Sequence, residues 1–148
     1  MKDTGGALQT LFVLYVADQA RAKEFYKKVL SLDPVLDVPG MTEFELSDGC
    51  KLGLMPEKGI ATILGSTVPD PASGSGIPRC ELYLTVDEPQ VYYDRALRAG
   101  AKAVSALQLR GWGDEAAYAV DPDGHIIAFA RRPGVKRFEK KIKFKIKL

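Results

Sequence analysis

Few residues in this chain could do chemistry, and their spacing excludes the common catalytic constellations. There is one histidine, His125, and there are two cysteines, Cys50 and Cys80, 30 residues apart without CxxC or Cys/His spacing. No metal knuckle or dithiol redox centre is therefore indicated, and both thiols are expected to be buried or idle. No Ser/His/Asp or Cys/His arrangement and no phosphate loop is present. His125 directly follows Asp121-Pro122-Asp123-Gly124, where a solvated or capping turn residue is expected. What remains is a set of aromatic and polar side chains: Tyr15, Lys51, Met55, Glu81, Tyr83 and Thr85 on strand-like runs, and Trp112 in a connection. Aromatic faces stack planar ligands, and a carboxylate beside tyrosines holds a cation.

The elements that must position these residues repeat along the chain. Leu8 to Val16 is an apolar run of strand length, and Asp18 is a natural N-cap for a helix over Gln19 to Leu30. Ala22, Phe25, Tyr26 and Val29 fall at the spacing of one buried helix face, and Asp33-Pro34 is expected to end the helix. Strands at Met41 to Leu46 and Lys51 to Met55 flank the turn Ser47-Asp48-Gly49. From Pro56 to Arg79, Pro, Gly and Ser accumulate, which reads as a linker. The pattern then returns. Glu81 to Val86 is a strand, Asp87 stands where Asp18 stood, and Pro89 to Ala99 makes a helix ending at Gly100. A longer connection through Trp112 opens a hairpin over Gly111 to Arg131, closed by Asp-Pro-Asp-Gly, because Pro122 presets φ and Gly124 can take a positive one. Val16 matches Val86 at an offset of 70 and Gly49 matches Gly124 at 75. Such duplication argues for paired sheets with pseudo-twofold symmetry.

Trp-Gly, an aromatic strand, Asp-Pro-Asp-Gly and then an apolar strand resemble the C-terminal hairpin of the vicinal oxygen chelate superfamily, which contains glyoxalase I, extradiol dioxygenases and bleomycin-resistance proteins. Leu14-Tyr15-Val16-Ala17-Asp18, with Ala22 and Phe25-Tyr26, is similar to that family's first strand and helix. The resemblance spans roughly residues 8 to 133. It implies one α+β domain over residues 1–148, built from two βαβββ modules (8–55 and 80–133) that form a half-barrel cup, with the linker at 56–79. The family's four metal-ligand positions map to Leu11, Gly53, Glu81 and Ala128. Period-two alternation from those positions turns Leu11, Val13, Tyr15, Lys51, Gly53, Met55, Glu81, Tyr83, Thr85, Ile126, Ala128 and Ala130 to the cup. Phe12, Leu14, Val16, Leu82, Leu84, Val86, Ile127 and Phe129 then pack away from it. One carboxylate among four positions cannot hold a divalent ion, so neither metal nor other cofactor is expected.

At 148 residues, with 46% hydrophobic composition, the chain is long enough for one domain with a proper core. No apolar run spans a bilayer, and Met1 to Gly6 has no signal-peptide character, which reads as cytoplasmic. The net charge of +2 hides a basic tail. Lys136 to Leu148 carries +6, so residues 1–135 carry −4, the difference between the two, and nucleic acid is not an indicated partner. In residues 134–148, Lys141, Lys143, Lys145 and Lys147 alternate with Ile142, Phe144, Ile146 and Leu148, the pattern of an added edge strand. An electrostatic tail drawn to anionic surfaces is the other reading.

The function implied is a metal-free protein that sequesters or senses a small aromatic or cationic compound, working as a homodimer. Its binding residues would be Tyr15, Lys51, Met55, Glu81, Tyr83, Thr85 and Trp112. A glyoxalase-like lyase or isomerase with Glu81 as general base is a second reading, and a ligand-sensing regulatory module a third. Against all three stands the reading in which Tyr15 and Tyr83 only fill the barrel or a dimer seam.

Overall fold

Asp18 starts the first helix as the sequence requires. Its Oδ1 accepts the Arg21 N–H at 3.0 Å, and Gln19–Leu30 (α1) buries Ala22, Phe25, Tyr26, Val29 and Leu30. The helix stops at Ser31, in the left-handed region at φ 57° with its N–H on the Lys27 carbonyl, two residues before Asp33-Pro34. The protein is described by a computed structural model over residues 6–133, so the expected tail strand at 134–148 lies outside the described residues. The described chain divides into two units, one ending at Ile77 and one beginning at Pro78.

In the first unit, β1 (Thr10–Val16), β2 (Leu36–Val38), β3 (Met41–Ser47) and β4 (Cys50–Pro56) form an open sheet in the order β1-β4-β3-β2. The β1–β4 pair is parallel and the other two are antiparallel. Leu14, Val16, Phe44, Leu52 and Leu54 are buried, as the alternation predicts for the helix side. Phe12, at the far end of that row, is 61% exposed. Thr42 is buried among these apolar side chains without cost, because its hydroxyl accepts from Gln19 Nε2 at 2.8 Å and donates to Asp37 Oδ1 at 3.0 Å. Gln19 also takes the Gly40 N–H and Asp37 pairs with Lys23 at 2.9 Å, which ties α1 to the β2–β3 turn.

The stretch read as a linker holds more structure than its Pro, Gly and Ser content suggests. It contains α2 (Glu57–Leu64), which buries Ile60, and a short 3₁₀ turn at Pro71–Gly74 capped by Asp70.

The second unit repeats the topology. β5 (Glu81–Thr85), α3 (Pro89–Arg98), β6 (Lys102–Leu109), β7 (Glu115–Val120) and β8 (Ile126–Arg131) give a sheet ordered β5-β8-β7-β6. α3 differs from α1 at its start: its N-cap is Glu88, with no side-chain cap, and Pro89 supplies the preset first turn instead of an Asp87 cap. Ile127 and Phe129 are fully buried. The β7–β8 turn closes through the Gly124 N–H on the Asp121 carbonyl at 3.0 Å, with Gly124 at φ 93°. β6 was hidden in the sequence because its pairing with β7 shifts register twice, between Ala103 and Ser105 and between Ser105 and Gln108. Each shift breaks the period-two pattern. Two open four-stranded sheets and three α-helices among the described residues make this the expected α+β fold.

Candidate functional site

The faces opposite the helices carry the candidate residues. In the first unit, Leu11, Val13 and Tyr15 stand in register with Lys51, Gly53 and Met55, and Gly53 also pairs with Glu43. A Cβ at Gly53 would lie 3.1 Å from Met41 Sδ, 3.3 Å from Leu11 Cδ1 and 3.4 Å from Val13 Cγ2. Position 53 therefore points to the predicted face and is already crowded by apolar atoms. Lys51 is held by Glu43 at 3.5 Å. Tyr15, Lys51 and Met55 thus share one face, and its environment is mostly apolar.

The second unit places Glu81, Tyr83 and Thr85 in register with Ile126, Ala128 and Ala130. Here the open face is chemically built. Tyr83 donates its hydroxyl to Asp114 Oδ2 at 2.6 Å and accepts from Trp112 Nε1 at 2.9 Å. Arg132 Nε donates to Asp114 Oδ1 at 2.7 Å, and its Nη2 reaches the Trp112 carbonyl at 3.4 Å. Trp112 rides on a tight turn closed by the Gly113 N–H on the Arg110 carbonyl and the Arg110 N–H on the Asp114 carbonyl. Gly113 is needed there, since its φ is 102°. The indole is pinned by its N–H yet the residue stays 54% exposed.

Arg110 completes the face. Its Nη2 donates to Ser105 Oγ and to the Ala106 and Ala116 carbonyls, filling the bulge of β6, while its guanidinium lies 5.1 Å from the Tyr118 ring centroid.

The network sets its own protonation. The Tyr83 hydrogen bond first, and then Arg132, hold the Asp114 carboxyl below its ordinary range. Burial first, and then Asp114, push the Tyr83 phenol above its own. Tyr118 is also raised, by burial and then by the Glu81 charge. At neutral pH the resting state is a carboxylate and neutral phenols.

Tyr83 and Trp112 are therefore joined directly, whereas Glu81 and Thr85 lie exposed on the same strand. Asp114, Arg132, Arg110 and Tyr118 were not among the candidates. The signal was present, since counting by twos from Tyr118 reaches Asp114 and from Ala128 reaches Arg132. His125 is a correction. It is 5% exposed rather than solvated, its backbone N–H bonds Asp121 Oδ1, and its Nδ1 lies 3.8 Å from Cys80 Sγ. Desolvation raises the Cys80 thiol above its ordinary pKa, so the nucleophilic thiolate is scarce at neutral pH. Cys50 is half-buried, and neither cysteine is in a disulfide.

Residues 9–129 match the Glyoxalase/Bleomycin resistance protein/Dioxygenase superfamily. The chain belongs to that superfamily. An uncharacterised protein of Mycobacterium bovis is 31% identical over 115 residues, covering 76% of this chain and 75% of its own. A glyoxalase-related enzyme from Fulvimarina pelagi superposes with a TM-score of 0.71 at 21% identity, over 84% of this chain and 87% of that one. A solution structure of an Agrobacterium tumefaciens protein gives 0.65 at 27% identity, over 84% and 96%.

The metal-dependent members of such a superfamily need converging oxygen or imidazole donors, and the four positions that the resemblance assigns to them carry a single donor side chain here. Leu11 and Gly53 offer no donor, Ala128 is fully buried, and Glu81 is the one carboxylate of the four. Among the described residues no three His, Cys, Asp or Glu side chains gather into a metal-holding group. None of the helices there is long and apolar enough to cross a membrane.

Proposed function

We propose that this chain is a metal-independent small-molecule-binding protein of the bleomycin-resistance type, sequestering or sensing a small aromatic compound at the open face of its second sheet. The observation that carries the reading is the Trp112 indole, exposed in area but fixed in orientation by Tyr83 and by the loop that Arg132 holds. A rigid aromatic surface costs little conformational entropy to use, and it stacks planar ligands. Glu81, at the start of the strand that carries Tyr83, is exposed to solvent. A lyase or isomerase using Glu81 as base is less well supported, because Glu81 stands exposed to water, and such chemistry needs a site that excludes it. Homodimerisation belongs to the same reading and is supported by the open edges of each sheet, β1 and β2 in one and β5 and β6 in the other.

The test is a calorimetric screen of small aromatic compounds against the protein and its Trp112→Ala variant. Binding to the wild type that weakens at least about tenfold in the variant supports the reading. Equal binding to both would place the ligand elsewhere, and conversion of a bound compound over many equivalents would mark an enzyme.

A further inference from the structure

Arg132 is only half used. Its Nε serves Asp114 and one Nη2 hydrogen serves the Trp112 carbonyl, while among the described residues its Nη1 has no partner. The side chain is 53% exposed, against 13% for the Asp114 it grips. Its guanidinium carbon lies 3.7 Å from where a Cβ of Gly113 would be, so the group lies along a backbone stretch that carries no side chain. An arginine fixed on its inner edge and open on its outer edge is prepared to take a carboxylate through two parallel hydrogen bonds. Asp114 already carries one donor on each oxygen, Tyr83 on Oδ2 and Arg132 on Oδ1. Glu81 stands six residues down the strand direction from Arg132, through its partner Ile126, which is roughly 20 Å away at strand spacing.

We infer that the compound bound at Trp112 is a planar aromatic acid, its ring on the indole and its carboxylate on the outer edge of Arg132. This rests on the binding reading above and fixes the charge of the ligand. Nitrogen-15 labelled protein contains one indole N–H, because Trp112 is the single tryptophan. That resonance is followed while 2-naphthoate, 2-naphthamide and 2-naphthylmethylamine are titrated in turn. Naphthoate is expected to bind at least about tenfold more tightly than the amide, the size of one good charge-assisted contact. Arg132→Gln should erase that preference while amide binding persists. Arg132→Lys, which keeps the charge for Asp114 but loses the fork, should retain only part of the preference, and it serves if the Gln variant fails to fold. Equal affinity for acid and amide, or tightest binding of the amine, overturns the aromatic-acid inference and leaves the binding site standing. Failure of all three to move the Trp112 resonance overturns both.

Discussion

The two modules share a topology but not a chemistry. Each has a parallel outer pair, two antiparallel pairings and one helix-covered face of mostly buried apolar side chains. On the opposite face the first carries Leu11, Val13, Met41 and Gly53 around one Glu43–Lys51 pair. The second carries the bonded set Trp112, Tyr83, Asp114 and Arg132. The modules thus share what folding needs, the apolar helix face, and differ on the other. A fold accounts for the first and says nothing of the second, so function has to be argued from the face that differs.

The comparison breaks most strongly on the helix side, where the modules should behave alike. Phe44→Ala in the first and Phe129→Ala in the second each remove a side chain with no exposure, and each should cost about 3–5 kcal/mol in chemical denaturation. A near-neutral result for either would mean that its strand is turned over.

Gly113→Ala probes the open face of the second module alone. At φ 102° an alanine is strained by about 1–3 kcal/mol, and relief of that strain would move the turn that presents Trp112. A red-shifted Trp112 emission with reduced stability is the expected result, and an unchanged spectrum would detach the turn from the network.

Acid sharpens the contrast further. A carboxylate whose folded pKa is lowered contributes stability that is full above its unfolded value, about 4, and lost as pH falls through the lower folded one. Asp114 contributes in this way on the open face of module two, and Asp37 does so on the helix side of module one through Lys23 and then Thr42. Both should destabilise the chain below about pH 4, but only Asp114 reports through Trp112. Asp114→Asn should remove the acid transition in Trp112 emission and leave the Asp37 contribution in place. For the raised Tyr83 phenol the sign reverses, with stability present below about pH 10 and falling above it.

How far the sequence displayed all this follows from range. α1 was legible to the residue because its cap and its apolar spacing are local. The β7–β8 hairpin was legible because Asp121 and Gly124 encode its turn. β6 was not, since two bulges scramble its alternation and Arg110 satisfies the freed carbonyls from outside the strand. α2 was masked by the Gly, Pro and Ser around it. The Tyr83–Asp114 and Arg132–Asp114 bonds join residues 31 and 18 apart. Such pairs leave no short motif, and they become visible only when the sheet register is known.

The smallest expected effect is on Glu81, and it separates the binding reading from the structural one. Glu81 lies exposed on the open face, and its strand partner is Ile126. Replacing it by Gln keeps the shape and removes only the charge, so stability should change by less than about 0.5 kcal/mol, as at other surface positions. The nearest consequence is on Tyr118, whose phenol Glu81 helps to raise. With the charge gone, the Tyr118 pKa should fall toward its ordinary value in a spectrophotometric titration. Affinity for an aromatic acid held by Trp112 and Arg132 should be unchanged, because Glu81 lies roughly 20 Å along the strands from Arg132. A large loss of stability in Glu81→Gln would show instead that this carboxylate supports the sheet.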